Sequence, residues 1–157
     1  MKQGFIKVCA GTPDLRVADC EYNADRIIQL IGQIKDAQAK IMVFPELCIT
    51  GYTGGDLFWQ ERLLEEAKEQ LLRIAQETKG TDALIFLGLP LEYESKLYNV
   101  AAVISRGKIL GFVPKIFIPN YNEYYEARYF TSGRDAQGTV DFNGQKIGFG
   151  TRRIFVC

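Results

Sequence analysis

Residues 19–45 carry the pattern that most constrains this chain. Ala24, Ile27, Ile28, Ile31 and Ile34 recur at the spacing that lines one face of a helix, and Asp19 stands where an N-cap belongs. Lys40 then leads into Ile41–Phe44, an unbroken apolar run stopped by Pro45. So short a run suits a strand covered on both faces, as in parallel sheets. An earlier apolar run, Phe5–Ala10, ends at Gly11 and Pro13 and supplies a strand ahead of the helix. Strand, helix and strand in this order predict an α/β layered fold.

The pattern continues past a glycine-rich loop, Gly51 to Gly55. Leu64, Ala67, Leu71 and Ile74 share a second helical face, with Gly80 beyond its end and Asp56 as a candidate cap. Strands are predicted at Ala83–Leu89, Tyr98–Ser105 and Lys108–Val113, the last two joined by the hairpin signal Arg106-Gly107. TVDF and KIGFG flank Asn143-Gly144, a second hairpin, and Ile154–Cys157 reads as a final strand. The sheet is therefore expected to be mixed. Between strands, Pro114–Asp135 has little periodicity but six aromatic residues, and long irregular loops in compact domains usually carry function. No repeat or linker divides the chain, so residues 1–157 are expected to lie in one domain.

Composition removes several chemistries. Nineteen Lys plus Arg balance nineteen Asp plus Glu, which argues against the basic surface that nucleic acid or an anionic membrane requires. The chain has no His, which excludes imidazole-based triads and zinc helices. Proton transfer falls to Glu, Asp, Lys, Tyr or Cys. Cys9, Cys20, Cys48 and Cys157 lack metal-ligand spacing and read as reduced thiols of a cytoplasmic protein, with no bound metal expected. No apolar stretch approaches a membrane span.

Two charged residues follow strands that end at proline: Glu46 after Phe44-Pro45, and Lys115 after Val113-Pro114. A carboxylate so placed can take a proton, and a fixed ammonium can stabilise a developing oxyanion. Each taken singly is equally a surface charge at a strand end. In the irregular loop, Glu123, Glu126 and Arg128 are interleaved with Tyr121, Tyr124, Tyr125, Tyr129 and Phe130, either a pocket wall or an internally packed loop. Cys48 and Cys157 sit in apolar strings, where thiols are more often inert than reactive.

The segments FPELCITGYTGGDLF (44–58) and VPKIFIPNYNEYYEARYFTSG (113–133) resemble the nitrilase superfamily of carbon-nitrogen hydrolases, and the likeness runs over nearly the whole chain. The GDLF and PNYxxxYExRYF elements are most similar to the glutaminase domains of glutamine-dependent NAD synthetases. The resemblance implies an α-β-β-α sandwich, with this chain forming its first half. It implies a Glu-Lys-Cys mechanism in which Glu46 is the general base, Lys115 the oxyanion partner and Glu126 a carboxylate that positions Lys115. Tyr52 and Tyr121 are placed near the glutamine pocket. The nucleophile of such enzymes follows a later strand, so it is expected beyond residue 157, and Cys157 is not expected to serve. Glutamine is then the substrate and a homo-oligomer the assembly. Ammonia would pass to a separate domain that uses ATP and magnesium to amidate deamido-NAD, and this piece alone is expected to be inactive. The alternatives are a stand-alone nitrilase-like amidase and a non-catalytic interaction module.

Overall fold

A computed structural model describes residues 4–155 of the protein. The chain runs β1 (Val8–Ala10), α1 (Cys20–Asp36), β2 (Ile41–Val43), α2 (Glu61–Glu77), β3 (Leu84–Tyr93), β4 (Lys96–Ser105), β5 (Lys108–Pro114), β6 (Gln137–Phe142) and β7 (Gln145–Gly150). The strands form one mixed sheet in the order β1-β2-β3-β4-β5-β7-β6. β1, β2 and β3 are parallel, β3-β4-β5 is an antiparallel meander, β5 pairs parallel to β7, and β7 antiparallel to β6.

Two successive strand-helix-strand crossovers advance across the sheet in the same direction, so their common handedness brings both helices to one face. α1 starts at Cys20 with the Asp19 carboxylate accepting from the Tyr22 amide, which satisfies one of the donors orphaned at a helix start. It buries Ala24, Ile27 and Ile31, while α2 buries Leu63, Leu64, Ala67, Leu71 and Ile74. Beneath them β3 presents Ile85, Leu87, Leu89 and Leu91, all fully buried. Each such side chain removed from water contributes about 1.5–3 kcal/mol before its entropy is counted. This helix layer on a sheet holds the core; the other sheet face keeps Val8 and Val43 exposed.

Four expectations need correction. Asp56 does not cap α2. It lies in a separate 3-10 turn, Gly55–Trp59, and α2 begins after Gln60 without a side-chain cap, because burial of Phe58 turns the chain inward first. The first strand is shorter than Phe5–Ala10: Phe5 and Ile6 project into solvent, and pairing begins at Val8. Ile154 and Phe155 join no strand, while Val156 and Cys157 lie outside the described residues. The segment before them crosses the open sheet face, where Arg153 and Phe155 occupy the space left by Gly148 and Gly111. β3 and β4 also run longer than predicted, because they meet at Glu94-Ser95, both left-handed without glycine or asparagine.

Candidate active site

Glu46 stands in the turn that follows β2. The Phe44 amide still bonds the Phe86 carbonyl, the chain then folds across β3, and the Ile49 amide returns to the Gly88 carbonyl at 3.2 Å. Only glycine permits this approach at position 88: a Cβ there would collide with the Leu47 amide nitrogen and lie 2.7 Å from the Pro45 carbonyl oxygen. Leu47 itself takes a left-handed φ of 52°, a strained conformation for a residue with a branched side chain. Its cost is met by the full burial of Leu47, Cys48 and Ile49. The Asn23 amide, buried on α1, donates to the Ile49 carbonyl at 3.0 Å and anchors the turn from below.

Lys115 follows β5 in a backbone register fixed by two bonds. Its amide donates to the Asn99 carbonyl on β4, and its carbonyl accepts from Gly133, both at 2.8 Å. Glu126 heads a 3-10 turn, Glu126–Arg128, inside the long irregular segment. That segment is tied back by Glu126 N–H to Pro119, Phe130 N–H to Glu126 and Thr131 N–H to Leu97. Phe130 is buried against Phe58, so the aromatic content is what packs the loop.

These three segments bring the charges together. Lys115 Nζ donates to Glu46 Oε1 at 2.7 Å and to Glu126 at 2.9 Å and 3.1 Å. The Tyr52 hydroxyl donates to Glu126 Oε1 at 2.6 Å. The Glu126 side chain is only 7% exposed, against 27% for Lys115 and 40% for Glu46. Partial burial draws the Lys115 pKa down, but the hydrogen bonds and charges of Glu46 and Glu126 outweigh it and hold the ammonium above the ordinary lysine range. Lys115 is therefore cationic at any working pH. Burial, then the Glu126 carboxylate, likewise hold the Tyr52 phenol above its usual range, so it remains a donor.

Glu46, Lys115, Glu126 and Tyr52 thus converge, whereas Tyr121 stays apart, 64% exposed with its ring against Tyr124. Glu123, Tyr124, Tyr125 and Tyr129 line a cavity of about 200 Å³ on the Tyr52 side of Glu126. Arg128 leaves this cluster to pair with Asp56 at 3.0 Å. Cys48 is no nucleophile: fully buried, it donates Sγ to the Gly88 carbonyl, and burial pushes its thiol up to about 12. Cys157 lies outside the described residues. One participant escaped sequence reasoning. Asn99, 3% exposed on β4, donates its side-chain amide to Glu46 Oε1. Its signal was a lone amide at the head of an apolar strand, YNVAAVIS. Beside these groups the open sheet face forms a trough of about 470 Å³ walled by Val43, Phe86, Gly88, Ala101 and Val113.

A helix layer on one mixed sheet thus carries, beyond the ends of β2 and β5, a lysine paired with two glutamates. The carbon-nitrogen hydrolase profile matches residues 6–151, and the chain belongs to that family. Within it, the chain is 34% identical over 156 residues to the glutamine-dependent NAD(+) synthetase of Mycobacterium tuberculosis, covering 99% of this chain and 23% of the relative. The crystal structure of a glutamine-dependent NAD(+) synthetase from Cytophaga hutchinsonii superposes with a TM-score of 0.86 at 34% identity, over 92% of this chain and 25% of that one. An amidase from Nesterenkonia sp. shares the fold, with a TM-score of 0.71 at 18% identity over 94% of this chain and 56% of its own. The chain spans about a quarter of the length of the synthetases it matches.

Proposed function

We propose that this chain carries the base and the oxyanion partner of a glutamine-hydrolysing site. Glu46 takes the proton of a cysteine thiol, and the sulfur attacks the glutamine amide carbon. Lys115 stabilises the oxygen that becomes negative, and Glu126 holds Lys115 in place. The protonated Glu46 then returns its proton to the departing ammonia, and water completes hydrolysis of the thioester. The observation that carries this reading is Lys115 Nζ, held within 3 Å of both Glu46 and Glu126, in a chain without His.

Glutamine is favoured over other amides because the relatives at 34% identity are named as glutamine-dependent NAD(+) synthetases, while the amidase shares only the fold. Tyr52 and Tyr121 are assigned to the glutamine side on that resemblance. On the same reading the nucleophilic cysteine and the ATP- and magnesium-dependent amidation of deamido-NAD belong to the full-length protein beyond these residues. None of the residues described here is assigned to ATP or magnesium.

The test compares two nitrogen sources in the full-length protein. With Glu46→Gln or Lys115→Ala, glutamine-dependent NAD formation falls by roughly 10²–10³-fold, while formation from added ammonium salt persists. Glutamine-dependent activity that survives both substitutions would falsify the proposal.

A further inference from the structure

The two oxygens of Glu46 are not equivalent. Oε1 receives both Lys115 Nζ and the Asn99 side-chain amide, whereas Oε2 takes no hydrogen bond among the described residues. A carboxylate can only accept, so the Asn99 atom facing it is the amide nitrogen, Nδ2. Asn99 is 3% exposed, flanked along β4 by the buried Tyr98 and Val100. A buried amide in such a place needs a partner, and Glu46 is the one it has. Its backbone carbonyl also accepts the Lys115 amide at 2.8 Å. One residue of β4 therefore touches the proposed base through its side chain and the proposed oxyanion partner through its backbone.

We propose that Asn99 is a positioning residue that reserves Oε2 of Glu46 as the atom that receives the proton. This rests on the function proposed above. With two donors fixed on Oε1, the carboxyl plane cannot rotate freely, and its remaining lone pairs stay on Oε2. In the proton step the S–H bond breaks, the sulfur keeps the electron pair, and the new O–H bond forms at Oε2. Misplacing a reacting oxygen by about 1 Å reduces rate by roughly 10²-fold, so the orientation matters even though Asn99 meets no substrate.

Two variants of the full-length protein test this by kinetics of glutamine hydrolysis. Asn99→Leu keeps the branched outline of the side chain and the backbone bond to Lys115 but removes the donor. Its kcat falls about 10- to 100-fold with KM little changed. Asn99→Asp is isosteric and keeps a donor on Oε1 only while the two carboxyls share a proton. Its activity relative to wild type therefore falls as pH rises, which also decides the matter if the leucine variant does not fold. Wild-type kcat in Asn99→Leu, a loss there carried by KM rather than kcat, or a loss in Asn99→Asp that does not grow with pH overturns the assignment. If Glu46→Gln alone were silent, the site itself would be misassigned; if Glu46→Gln abolishes hydrolysis while both Asn99 variants behave as wild type, only the role of Asn99 fails.

Discussion

Replacing Glu126 by leucine is the structural perturbation most sharply specified by the geometry. Glu126 accepts Lys115 at 2.9 Å and 3.1 Å and Tyr52 at 2.6 Å, with its own side chain 7% exposed. Breaking a fully buried ion pair from one side costs about 3–5 kcal/mol, and a hydrogen bond to a charged group is worth about 1.5–3 kcal/mol. Lys115 keeps Glu46 and some contact with water, and Tyr52 can turn to solvent, so the lower end applies: about 2–3 kcal/mol. Urea unfolding of matched wild-type and variant proteins measures it, with m unchanged if the denatured state is unaltered. Glu126→Gln retains an acceptor for one donor and should lose about half as much. A leucine variant as stable as wild type would refute the inference that this loop is held by its buried carboxylate.

Three further outcomes follow from the same structure. Lys115 has a raised pKa in the fold, so its contribution to stability is fully present below the ordinary lysine value of 10.5 and is lost as pH rises through the higher folded value; the stability gap between wild type and Lys115→Met should stay level from pH 7 to about 10 and narrow above, and a gap that narrows on approaching pH 7 would contradict it. Gly88→Ala should destabilise by about 1–3 kcal/mol and also depress glutamine hydrolysis, because the turn bearing Glu46 must lift off β3; normal activity would show that the turn tolerates the shift. Cys48, its thiol pushed up to about 12 by burial, should resist a thiol reagent at pH 8 until denaturant is added, and Cys48→Ala should retain hydrolysis; rapid native-state labelling of Cys48 would contradict its burial.

Both helices were legible because their apolar periodicities run over many residues, and the Arg106-Gly107 and Asn143-Gly144 hairpins because each turn carries a glycine, which takes a left-handed φ in both. The Glu94-Ser95 turn was hidden, since it adopts the same conformation with residues that do not advertise it. Asp56 misled through position: it looks like a helix cap, but the burial of Phe58 outweighs a local capping bond, and Asp56 turns to Arg128 instead. Glu46 and Lys115 could be singled out from strand ends at proline. Their union with Glu126 and Tyr52 could not be read from spacing, because 69 residues separate the first pair and 74 separate Tyr52 from Glu126. The family resemblance supplied that grouping. Asn99 was missed because an amide at the start of a strand carries no catalytic signature until its partner is known.

The central claim is that Glu46 and Lys115 act as one unit on glutamine. The most direct measurement is kcat/KM for glutamine hydrolysis in four full-length proteins: wild type, Glu46→Gln, Lys115→Ala and the double variant. Residues that work as a unit are strongly non-additive, so the double variant should be no more than about threefold worse than the poorer single one. A double variant whose loss equals the product of the two single losses would contradict a shared catalytic role.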